Sequence, residues 1–169
     1  MKKRGKKAQQ IFGMQFSTIF SVLLIAFLIA VAFFAIKHFL EIKNCSQIAL
    51  FVEDLNTEIE NAWKSATSEK VFSGDLPSGI QYVCFADLSK DANTEDTEEE
   101  KIYNELRRNA DYTANLFFYP RKKDCIASSN IEHISTEELT NPYCFKVVDG
   151  KIRITIEKGF YDSLVKISR

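Results

Sequence analysis

Apolar positions along this chain change their spacing three times, and each spacing predicts a different element. From Phe16 to Ile36 no residue is charged, and Ser17, Thr18 and Ser21 are the only polar side chains in 21 positions; fourteen are Phe, Ile, Leu or Val. A helix of that length covers about 30 Å, the hydrocarbon thickness of a bilayer. Each of the fourteen favours insertion by roughly 0.3–0.6 kcal/mol, which outweighs three hydroxyls. From His38 to Lys64 the pattern becomes helical, with neither Pro nor Gly. Cys45, Ile48, Val52, Leu55, Ile59 and Ala62 recur at alternating spacings of three and four, so they share one helix face, with Glu53 and Glu60 in water. Leu50, Phe51 and Trp63 widen that face beyond a coiled-coil seam, so its expected cover is the chain's own domain. One helix is therefore predicted from Phe16 to about Trp63.

Beyond Lys64 the apolar runs are short. Ser73 to Gly79 is turn material, Ile80 to Ala86 reads as a strand apolar on both faces, and Asn115 to Tyr119 as a strand ended by Pro120. Thr97 and Glu100 have capping-box spacing, which predicts a helix from Glu98 to about Asn109. Ser135 with Glu138 predicts a short helical turn, stopped by Asn141-Pro142. Cys144 to Val148 and Lys151 to Glu157 flank Asp149-Gly150, a two-residue type I′ turn. Pairing Val148 with Lys151 puts Phe145, Val147, Ile152 and Ile154 on one face and Cys144, Lys146, Arg153 and Thr155 on the other. The fold class expected is α+β: a long N-terminal helix continuing into a small head with an antiparallel sheet of about four strands. The divisions are a basic tail (1–15), a transmembrane helix (16–36), its extramembrane continuation (37–65) and the head (66–169).

Charge orients this arrangement. The first forty residues hold six bases and no acid, whereas the chain from position 41 onward holds 16 bases against 23 acids, a formal charge of −7. Five bases before the apolar segment place the N-terminus in the cytoplasm and the C-terminal domain outside the plasma membrane. The tail can also meet anionic headgroups, at roughly 1 kcal/mol per base. An acidic head excludes nucleic acid as a partner. A cleaved secretory signal is the rival, because Ala30-Val31-Ala32 has the required small-x-small form. The apolar run nevertheless continues to Ile36 without the polar stretch that precedes such a cut.

Cys45, Cys84, Cys125 and Cys144 all lie beyond the membrane segment, and an even count in an oxidising compartment reads as two disulfides. Of three connectivities, Cys125–Cys144 with Cys45–Cys84 is the one expected, each worth roughly 3–4 kcal/mol. Zinc would compete for them, but no CxxC occurs and His38 and His133 are the only histidines. No metal or cofactor is expected. Phosphate-cradling glycine loops, HExxH and GxSxG are absent, so no catalytic residue is assigned. A thiol nucleophile paired with His133 would need a cysteine that bridging uses up. The acids between Asp87 and Glu100 miss the EF-hand pattern at Asp96 and Ile102 and read as a solvated loop. Arg121-Lys122-Lys123 is a short basic cluster, also read as a solvated loop.

A basic leader, an apolar segment and one long helix beneath a small disulfide-linked head together resemble the type IV pilin-like superfamily. Lys7-Ala8-Gln9 is similar to the junction of archaeal class III signal peptides, cut between Ala8 and Gln9. Gly13 stands where pilins commonly carry Glu, and Gln15 interrupts the apolar run. The resemblance implies a non-enzymatic surface subunit that self-associates through the long helix, where Ala26 and Ala30 allow close approach. The alternative is an anchored extracytoplasmic module that binds a partner protein without forming filaments; an anchored enzyme ranks third. The whole chain also looks like single-pass membrane proteins of small-genome archaea.

Overall fold

The computed structural model describes residues 6–108, 112–122, 125–136 and 139–169, with the side chains of the first helix described from Phe16 onward. Helix α1 runs unbroken over Lys6–Lys64. Its last turn closes where the Ser65 hydroxyl and N–H donate to the carbonyls of Asn61 and Ala62. The chain divides into two compact units, Met1–Ile42 and Lys43–Arg169. In the first, every residue from Phe16 to Ile42 is exposed, so its apolar side chains have no protein cover.

The second unit is α+β. After α1 come β1 (Ser68–Asp75), β2 (Tyr82–Phe85), α2 (Thr97–Arg108), β3 (Leu116–Tyr119), β4 (Ser128–Ser129), β5 (Tyr143–Lys146), β6 (Lys151–Lys158) and β7 (Lys166–Ser168). The strands form two antiparallel sheets, in the orders β1–β6–β7 and β4–β3–β2–β5, rather than the single sheet expected. Both turn an apolar face to the same stripe of α1. Ile48, Phe51, Leu55, Ile59 and Ala62 form one core with Phe72, Ile152, Ile154 and Ile156 of the first sheet. Val83, Phe85, Leu116, Phe118 and Phe145 of the second sheet complete it. At Gly74 an added Cβ would lie 2.4 Å from the Phe51 ring, so only glycine lets β1 pass this close to the helix.

The outer face of the second sheet is covered as well. Cys84 and Cys144 pack under Ile102 of α2, and Phe117 under Tyr103, which is why these strands read as apolar on both faces. The cap of α2 is Asp96, not Thr97: its carboxylate accepts from the N–H of Glu98 at 2.7 Å and of Glu99 at 3.3 Å.

Several local expectations change. Ser73 to Asp75 belongs to β1, because pairing with Lys151 to Arg153 of β6 extends the strand into what read as a turn. Asp149 and Gly150 adopt the positive φ values of a type I′ turn, 52° and 72°. Yet only Val148 and Lys151 pair across it; β5 then joins β2 while β6 joins β1 and β7. Phe145, Ile152 and Ile154 are nevertheless buried together, as the alternation requires. Leu50 is 56% exposed and does not widen the core face; Val52 is half-buried. Glu60 is half-buried and paired with Lys64 at 2.8 Å, and that hydrogen-bonded ammonium lowers its pKa. The helical turn expected from Ser135 to Glu138 falls partly outside the described residues. Ser135 itself donates its N–H to the Val165 carbonyl instead.

Candidate functional site

Two features carry function here: the uncovered apolar helix and the cross-linked head. Among the described residues, α1 is the one helix long and apolar enough to cross a membrane. Fourteen large apolar side chains left in water would be unfavourable at about 25 cal/mol per Å² of surface, so the segment is a membrane anchor or signal. Ala8 and Gln9, at the expected leader junction, lie in the part of α1 whose side chains are outside the description.

All four cysteines are bridged, in a different pairing from the one expected: Cys45–Cys125 and Cys84–Cys144. The register of β2 against β5 sets Cys84 directly opposite Cys144, with Cα atoms 4.0 Å apart. Strand alternation excludes Cys45–Cys84. Val83 and Phe85 face α1, so Cys84 points through the far side of the sheet toward α2. That leaves Cys45 on the helix to take Cys125 from the segment between β3 and β4, at 4.9 Å between Cα atoms. With no free thiol, a cysteine nucleophile is ruled out. His133 instead lies flat on the Trp63 ring, 3.7 Å between centroids, while the Trp63 indole N–H donates to the Ser163 carbonyl.

The acidic stretch from Asp87 to Glu100 is a scaffold. Asn141 holds it, accepting from the Asp87 N–H and donating to the carbonyls of Asp87 and Asp91. The Ser89 hydroxyl and then the Lys90 ammonium, both bonded to Asp87, hold that carboxyl below its ordinary pKa. Glu99 is the one buried charged side chain among the described residues. Its carboxylate accepts from the Thr94 hydroxyl and from the Arg169 guanidinium, which also lies over the Tyr143 ring. Tyr82 and Tyr119 bond to Glu98 and Glu105 respectively, and each adjacent carboxylate raises the phenol's pKa. Among the described residues, no three His, Cys, Asp or Glu side chains converge to hold a metal.

One groove of about 460 Å³ opens between the end of α2 and β3, lined by Leu106, Phe117 and Pro120 with Arg108 and Arg121 at its rim. Glu105, Tyr119 and Ser128 also line it, and of the expected basic cluster it takes, among the described residues, Arg121 alone. Lys122 is turned to the Ser78 carbonyl, and Lys123 lies outside the described residues. Sequence reasoning missed the Glu99–Arg169 pair, whose members are 70 positions apart. Comparison with protein-family models, with curated proteins and with solved structures finds no match.

Proposed function

We propose that the chain is a non-enzymatic, single-pass surface protein of the plasma membrane, its basic tail in the cytoplasm and its disulfide-linked head outside. On this reading it is a pilin-like structural or assembly subunit. The observation that carries it is the continuity of α1: one helix holds the apolar span and, in the head, the stripe from Ile48 to Ala62 that both sheets cover. Such a helix can exchange lipid for neighbouring copies along its span without loosening the head. Two bridges in one small domain support an oxidising exterior.

A second reading, an anchored module that binds a partner protein without forming filaments, is favoured by the other side of α1 in the head. Ser46, Glu53, Asp54, Thr57 and Asn61 are exposed there, with Leu50 the lone large apolar side chain. That face suits water better than a neighbouring helix. N-terminal sequencing of protein purified from native membranes decides between them. A start at Gln9 is expected for the subunit and a start at Met1 for the module; a start at Phe33 would mean a released domain and sink both.

A further inference from the structure

The head is acidic as a whole but not at the end where α1 enters it. Chain geometry identifies what gathers there. β1 runs back along the helix: Lys70 pairs with Glu58 at 2.6 Å, and Gly74 lies under Phe51. Just beyond, the Leu76 N–H donates to the Gly150 carbonyl, Lys122 to the Ser78 carbonyl, and the Val147 N–H to the Gln81 carbonyl. The Cys45–Cys125 bridge pins the segment after Pro120 to the same end. The bases brought to this end are Lys43, Arg121, Lys122, Lys146 and Lys151, against the acids Asp75 and Asp149; Arg108 and Glu105, which line the groove beside Arg121, cancel in charge. From Lys43 onward the chain has 16 bases and 22 acids, so without these seven residues it carries nine more acids than bases. None of the five bases has a carboxylate partner among the described residues. Between them Val148 and Ile126 are 59% and 43% exposed.

We propose that this end of the head is a lipid-docking face, which takes the anionic headgroups of the bilayer that the chain's own apolar segment enters. The proposal rests on reading Phe16 to Ile36 as the membrane span. Lys43 is seven positions beyond Ile36, a reach of at most about 25 Å even when fully extended. The first residue of the head is therefore within that distance of the end of the span. Bases with no carboxylate partner among the described residues, beside exposed apolar side chains, suit a charged interface, where ammonium groups meet phosphates and Val148 meets the glycerol region. Three net positive charges favour the docked over the undocked head by roughly a hundredfold on anionic lipid. On neutral lipid that preference disappears, and the acidic remainder of the head keeps the other faces away.

The test uses the full-length oxidised protein in vesicles of brominated phosphatidylcholine, with and without brominated phosphatidylglycerol. Val148→Trp places an indole on the proposed face. Trp63 is eighteen positions beyond Cys45, about 27 Å along the helix, and serves as the distant reference. The added indole should be quenched in anionic vesicles and spared in neutral ones. K146E/K151E, or salt near 1 M, where the Debye length falls to about 3 Å, should abolish the quenching. Trp63 alone, in the unsubstituted protein, should stay bright throughout. Protein retained after alkaline washing but equally bright in both lipids overturns the docking face alone and leaves an acidic protein as its occupant. Protein lost on washing overturns the anchor and this proposal together.

Discussion

Leu50 and Leu55 lie on one helix five positions apart, about 140° around its axis, and the head treats them oppositely. Leu55 has no exposed surface and sits in the core shared by both sheets, whereas Leu50 is 56% exposed. Truncating each to alanine removes the same atoms, so helix propensity and chain chemistry cancel in the comparison. Leu55→Ala loses the transfer energy of a buried side chain and leaves a cavity bounded by two sheets and a helix, a cost of about 2–5 kcal/mol. Leu50→Ala opens no cavity and should stay within about 0.5 kcal/mol. Against a typical domain stability of roughly 5–15 kcal/mol, the first is a large fraction and the second is not. With a urea slope of about 2 kcal/mol per molar, the midpoint should fall by roughly 1–2.5 M for Leu55→Ala and barely move for Leu50→Ala. Trp63 is the natural reporter, because unfolding separates it from the His133 ring. The measurement is equilibrium unfolding of the detergent-solubilised, oxidised protein. Equal shifts in the two variants would refute the assignment of the α1 face and make the three-four stripe a free surface.

Two further outcomes follow from the same contacts. Peptide mapping without reduction should recover Cys45 joined to Cys125 and Cys84 joined to Cys144, loops of 80 and 60 residues worth about 4 kcal/mol each by chain entropy; a Cys45–Cys84 peptide would mean that β2 is turned over. The raised pKa values of Tyr82 and Tyr119 keep both phenols protonated above about pH 10, where the unfolded chain ionises, so stability present below pH 10 is lost as pH climbs toward the folded values. Tyr82→Phe/Tyr119→Phe should lose less stability over that interval than the unsubstituted protein, and an identical loss would exclude these two bonds as the cause.

How much of this was legible beforehand depends on how far apart the deciding residues lie. The uncharged run from Phe16 to Ile36, the three-four stripe from Ile48 to Ala62 and the Asp149-Gly150 turn are local patterns; the first two became one helix and the third a turn of the predicted type. Sequence also placed Phe145, Ile152 and Ile154 on the buried face, since alternation within a strand needs no knowledge of its neighbour. The basic cluster at Arg121 and Lys122 was visible as a run, but nothing in the chain says that Lys43, Lys146 and Lys151 join it.

What only the tertiary structure decided was which strands meet. The turn at Asp149-Gly150 reads as one hairpin, yet β5 and β6 part after a single pair, because β5 completes the sheet beneath α2 and β6 the sheet beside β1. That division fixes the disulfides. Cys84 and Cys144 face each other across β2 and β5 on the side away from α1, so Cys45 is left to Cys125. Spacing along the chain measures the entropy of closing a loop, which changes slowly with length and ranks such pairings weakly. Strand register and the side of the sheet on which a thiol lies decide them outright, and those two quantities exist only once the sheets have formed around the helix.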